Sequence, residues 1–260
     1  MSDGYIHGAT SAREVARLEK QGDWTAAFTF PGFGARPGER VVDLACGVGA
    51  MSSRLASQFD GLRLVGVDLS ATQLAACREN HPTIPVLRAD ATRLPFPDGS
   101  IDKVFCSWLL EHVASPVAVL REVRRVLKPG GVCQFVEVDN FSFVTRPHLP
   151  AAHEALRLLN AAQLRAGGDP GIGPRLHHAF LVAGFRRFTL EPVVLHGTHA
   201  RPDFLGAFID EFVEIFESVE GALGDEGRAV LDAAIAELRG LRQQPSAELT
   251  YTPVLARGFR

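Results

Sequence analysis

A chain of 260 residues with 46% hydrophobic content is long enough to bury one large core. Its 27 basic and 30 acidic residues leave a net charge of −3 with the arginines scattered, so electrostatics give no basis for a nucleic-acid or membrane-surface partner. There is no basic start backed by an apolar run, and no later run of about 18 apolar residues, which predicts a cytoplasmic protein acting on a small molecule.

The first 35 residues read as a helical segment. From Arg40 onward, short β-branched runs alternate with helical patterns, the signature of a parallel sheet with crossover helices. Strands are predicted at 40–45, 63–68, 84–89, 101–107 and 132–138. Between them AMSSRLASQF, ATQLAACREN and SPVAVLREVRRVL carry apolar residues at three- and four-residue intervals and predict helices, the last one stopped by KPGG at 128–131. After Asp139 the rhythm changes. PHLPAAHEALRLLNAAQLRAGG and GIGPRLHHAFLVAGF predict two helices, RRFTLEPVVL a strand, and residues 202–241 two further amphipathic helices. ELTYTPVLARGF closes the chain as a strand in which Pro253 predicts an edge position or a bulge. Cys46, Cys77, Cys106 and Cys133 stand far apart with no C-x-x-C pair, which predicts reduced, mostly buried thiols.

The chemistry concentrates where strands end. In VVDLACGVGAMSSRL a strand finishes in Asp43 and passes through small residues into a helix N-terminus, whose amides and dipole face a ligand. Gly47 and Gly49 let the backbone come close without a Cβ. A dinucleotide fingerprint fits poorly because its third glycine position is Ser52, and no G-x-x-x-x-G-K-[ST] phosphate loop occurs. Asp43 would repel a pyrophosphate but attract an ammonium or another cation. Asp68, in VGVDLS at the next strand end, is placed to accept both hydroxyls of a ribose. Asp90 follows the third strand, where a carboxylate accepts from an adenine amino group while the Ala91 N–H meets a ring nitrogen. Taken singly, such residues are ordinary caps and turn formers. On three successive strand ends they describe a site for an adenosine with a cationic far end.

VVDLACGVG, VGVDLS, ADATRLPFPDGSIDKVFCSWLLEHV and LREVRRVLKPGG together resemble the class I S-adenosylmethionine-dependent methyltransferases, over roughly residues 36–140. Within that family the chain looks most like the small-molecule branch of quinone-biosynthesis, sterol-type and natural-product tailoring enzymes. The resemblance implies an α/β fold: a Rossmann-like, seven-stranded, mostly parallel sheet with helices on both faces. Residues 36–140 would form the S-adenosylmethionine-binding core, and 141–260 the rest of the sheet with helical lid insertions at about 141–170 and 202–241. It also implies that Asp43 orients the loop and the methionine end, that Ala45, Gly47 and Gly49 pass close to the cofactor, and that Asp68 holds the ribose. Asp90 and Ala91 would hold the adenine with Leu69 on its face, the Ser107 carbonyl would take the methionine ammonium, and Tyr5 would close over the cofactor. Ala45 stands where many members have the loop's first glycine.

Transfer of a methyl group needs alignment more than a protein nucleophile, and holding two reactants in attack geometry contributes on the order of 7–11 kcal/mol. A hydroxyl acceptor would gain from a general base, for which His112, just past the fourth strand, is the candidate. Trp108 is a candidate pocket wall. Phe204, Phe208, Phe212 and Phe216 recur at four-residue steps and read as a core-facing stripe, with Phe208 and Phe212 as candidate pocket residues if that helix is also a lid. Glu211, Glu214 and Glu217 read as its solvated face. No grouping has metal-ligand spacing, which predicts a metal-independent reaction. The sequence therefore predicts methylation of a small, partly apolar acceptor, O-methylation ahead of N- or C-methylation, by a monomer or homodimer. Two other readings share the same cofactor residues: a same-fold enzyme using the cofactor for cyclisation or rearrangement, and a non-catalytic binding protein.

Overall fold

The computed structural model describes residues 12–260. An N-terminal helix, α1 (Ala12–Thr29), precedes β1 (Arg40–Leu44), α2 (Ala50–Gln58), β2 (Arg63–Asp68), α3 (Ala71–Asn80), β3 (Val86–Arg88), β4 (Ile101–Ser107), α4 (Pro116–Val126) and β5 (Leu127–Glu137). These follow the sequence pattern closely. In α4, for example, Val119, Leu120, Val123 and Val126 form one fully buried stripe. That helix stops at Val126 before KPGG as predicted, but the extended strand already begins at Leu127.

The second half holds β6 (Val144–Arg146), α5 (Pro150–Arg165), α6 (Ile172–Val182), β7 (Arg187–Pro192), β8 (Leu195–Thr198), α7 (Pro202–Ser218), α8 (Glu220–Leu241), β9 (Glu248–Tyr251) and β10 (Val254–Phe259). The main sheet has seven strands in the order β3-β2-β1-β4-β5-β10-β7. β10 alone runs antiparallel to its neighbours, β5 and β7. The chain winds outward from β1 through β2 to β3 and then returns to β1's other side with β4. The crevice beyond the carboxyl ends of β1 and β4 is therefore the topological switch point, where open α/β sheets bind ligands.

Both strands predicted after residue 185 are in fact divided. The 186–195 run splits into β7 and β8, and the closing run splits into β9 and β10; β6, β9 and β8 form a separate three-stranded antiparallel sheet. Pro253 occupies the break, where its carbonyl accepts from Val193 N at 2.9 Å. It lies outside both ladders, so its missing N–H costs neither sheet a bond. This corrects the edge expectation: β10 is an interior strand.

Among the described residues no helix is long and apolar enough to cross a membrane. All four cysteines are free and buried.

Candidate active site

A cavity of about 300 Å³ opens at the switch point. Asp43, Ala45, Gly47, Asp68, Leu69, Asp90, Ala91 and Ser107 line one end of it, so the sequence-predicted residues of three strand ends and the β4 tip converge on one space. Tyr5 lies outside the described residues.

Asp43 is almost fully buried and accepts a 2.5 Å hydrogen bond from Ser52 Oγ in the first turn of α2. Burial pushes its carboxyl up to about 7; the Ser52 bond opposes this and the charge of Asp68 adds to it. Asp68 ties down the loop: its Oδ2 accepts from Gly47 N at 2.9 Å and its Oδ1 from Ser70 N at 2.8 Å. Asp90 accepts from the Thr92 amide and hydroxyl at 2.8 and 2.7 Å, fixing its own turn. Gly49 has φ +90° and does not line the cavity; a Cβ there would stand 2.4 Å from Cys77 Sγ, so this glycine is required by packing against α3. Ala45 takes φ 59° in spite of its Cβ.

The segment after β4 forms the middle of the cavity. Trp108 has φ 57°, a strained value for a bulky residue, and its N–H donates to Val136 O. The next two amides, Leu109 and Leu110, donate to Glu137 Oε1 at 3.3 and 2.9 Å. Glu137 is fully buried, and burial raises its carboxyl well above the usual range. His112 lines the cavity with Nε2 3.6 Å from Glu111 Oε1. Glu111 is in turn held by α5, where Gln163 Nε2 donates to its Oε2 at 2.6 Å. The sequence reading missed Glu111 and Gln163, because the second belongs to a helix 52 residues further on.

The far end is aromatic. Trp24, Trp108, Phe208, Phe212 and Tyr251 line it, with ring centroids of Trp24 6.4 Å from Trp108 and 6.2 Å from Phe208. Phe208 and Phe212 therefore serve both the core and the cavity. Glu211 is a correction: only 4% exposed, it faces α1 and the cavity, and accepts from Arg17 Nη1 and Gln21 Nε2, both at 2.8 Å. A helical wheel contained the signal, because Glu211 lies three residues past Phe208 and so flanks the phenylalanine stripe. Glu214 and Glu217 stay at the surface side and pair with Lys20 and Arg239. Among the described residues, no three His, Cys, Asp or Glu side chains group as a metal-ligand set.

Residues 42–135 match the family model described as a methyltransferase domain. That stretch, a little over a third of the chain, is similar to methyltransferase domains. Over 108 residues, 42% of this chain and 44% of the relative, it is 46% identical to the demethylmenaquinone methyltransferase of Beutenbergia cavernae. The chain spans about half the length of the curated relatives it matches first. Among solved structures, the [4+2]-cyclase SpnF has TM-score 0.57 and 22% identity, covering 92% of this chain and 80% of its own. Geranyl diphosphate C-methyltransferase from Streptomyces coelicolor A3(2) has TM-score 0.57 and 18% identity, covering 92% and 76%. At these identities the structures establish the fold of the domain and of the elements around it.

The residues present fit S-adenosylmethionine, the cofactor that the strand-end motifs imply. Three strand-end carboxylates and a glycine turn border one cavity. Gln73 Oε1, which a Cβ on Gly47 would approach to 3.2 Å, is buried there with no hydrogen-bond partner.

Proposed function

We propose that the chain transfers a methyl group from S-adenosylmethionine to a small, partly apolar acceptor, with oxygen as the favoured attacked atom. The observation that carries this reading is the continuity of one cavity from Asp43, Asp68 and Asp90 to the aromatic walls of α1 and α7, with His112 between. When bound, the cofactor supplies a methyl carbon activated by a sulfonium. Asp43 and the Ser107 carbonyl hold its ammonium end, Asp68 the ribose, and Asp90 with the Ala91 N–H the adenine, beside Leu69. Trp24, Trp108, Phe208 and Phe212 bury the acceptor's apolar body and exclude water. His112 takes the acceptor's proton, and Glu111, fixed by Gln163, orients the imidazole. The helices α1, α5 and α7 act as the lid, and they lie outside the stretch shared with the family model. The acceptor's identity is therefore set by elements outside that matched stretch.

The test is incubation with S-adenosylmethionine and a panel of phenols, alcohols, amines and activated carbon acids, followed by mass spectrometry. The reading expects a gain of one CH2 on a hydroxyl compound with stoichiometric S-adenosylhomocysteine. Product of unchanged mass would replace it with a rearrangement.

A further inference from the structure

Two buried charged side chains, Arg17 and Glu211, line the aromatic end of the cavity, and a third, Glu14, binds Arg17 from outside the lining. Arg17, on α1, is 4% exposed, Glu14 is 7% and Glu211 4%. All three guanidinium nitrogens are engaged by carboxylates: Nε and Nη2 donate to Glu14 at 2.9 and 2.8 Å, and Nη1 donates to Glu211 at 2.8 Å. Gln21 adds a fourth donor, onto the same Glu211 oxygen. Among the described residues two carboxylates surround this one guanidinium, so its donors are already committed within the protein. Among the described lining residues Arg17 is the only permanent cation, and Glu111 adds a further carboxylate beside His112.

Resting on the methyltransferase reading, we infer that Glu211 is a specificity-determining residue that keeps anionic acceptors out. An acceptor carrying a phosphate or carboxylate at this end would meet a guanidinium already committed to two carboxylates. It would lose its hydration without gaining a partner cation, and like charges would face it at short range. An uncharged ring-bearing acceptor meets only aromatic faces there. An ammonium-bearing one meets a favourable charge. The arrangement also explains why a carboxylate is buried on the apolar flank of α7: it holds Arg17 in place and cancels it.

Both tryptophans of the chain, Trp24 and Trp108, line the cavity, but naphthyl probes absorb with them, so calorimetry is the cleaner readout. The protein is first titrated with S-adenosylhomocysteine. The saturated complex is then titrated with 1-naphthol, 1-naphthylmethylamine and 1-naphthyl phosphate, in wild type, Glu211→Gln and Glu14→Gln. The naphthol and the amine should bind, with the phosphate weaker by on the order of 100-fold. Either glutamine variant keeps the hydrogen-bonding shape while releasing charge on Arg17, and should narrow that gap roughly 10-fold. A phosphate that binds wild type as well as the naphthol overturns the inference. So does a gap that both variants leave unchanged, since Glu211 would then play no part in it. Failure of every probe to bind the complex overturns it too, because α1 and α7 would not border an acceptor space. Failure to bind S-adenosylhomocysteine is a different result and removes the methyltransferase reading itself.

Discussion

Asp43, the penultimate residue of β1, and Ser52, in the first turn of α2, are joined by a 2.5 Å hydrogen bond inside the protein. That bond closes the glycine turn from beneath, yet burial still holds the Asp43 carboxyl up at about 7 against an ordinary value of 3.8. The folded state therefore binds this proton more tightly than the unfolded chain. Its contribution to stability is complete below about pH 4 and is lost as pH rises through about 7. Apo protein should melt progressively lower between about pH 4 and 7, and Asp43→Asn should remove much of that slope. A cationic ligand draws the carboxyl down, so S-adenosylmethionine binding at pH 7 should release a proton. Calorimetry in two buffers of different ionisation enthalpy should give different apparent heats. Equal heats would refute the assignment.

Glu137 is fully buried, and burial raises its carboxyl well above the usual range. Its work is to receive the Leu109 and Leu110 amides and so hold the turn that carries strained Trp108. Glu137→Gln preserves the acceptor oxygen and should cost at most about 1 kcal/mol. Glu137→Ala leaves a cavity and two amides without their acceptor, and should cost about 2–4 kcal/mol. Urea denaturation of the two variants separates these outcomes.

Ala45 is held at φ 59°, where an L-residue carries a cost of roughly 1–2 kcal/mol that glycine avoids. Ala45→Gly should therefore raise stability by about 1 kcal/mol, less the entropy the unfolded chain gains. A lower melting temperature in the variant would show that the Ala45 methyl makes packing contacts worth more than the strain.

His112 and Gln163 should divide by function. His112→Gln should lower turnover of a hydroxyl acceptor by about 10²–10⁴-fold while leaving S-adenosylhomocysteine affinity nearly unchanged. Gln163→Leu removes the 2.6 Å bond that fixes Glu111 and should produce a smaller loss, accompanied by a changed pH profile of turnover. An unchanged rate in His112→Gln would assign the proton to solvent.

The convergence of the strand-end residues on one cavity was legible because its signals are local. Glycines at positive φ, an aspartate at each strand end and a 3.6-residue apolar period all act within one βα unit, so Asp43, Asp68 and Asp90 reveal their positions without tertiary information. Glu211 was legible only as a flank of the phenylalanine stripe, not as a buried ion-pair partner. Its burial depends on Arg17, 194 residues away, and no property of α7 alone announces that partner. Gly49 read as a ligand contact because a turn glycine and a packing glycine look alike until Cys77 is seen beside it. The small sheet escaped notice because its strands are three or four residues long and two of them continue strands of the main sheet.

The most direct test is calorimetric titration of the protein with S-adenosylmethionine, S-adenosylhomocysteine and NAD, with Asp68→Ala alongside. Micromolar binding of the first two, none of NAD, and loss of binding in the variant are expected, because Asp68 holds Gly47 and, in the proposed site, meets the ribose. Absence of binding by either adenosyl ligand to wild-type protein would contradict the methyltransferase reading.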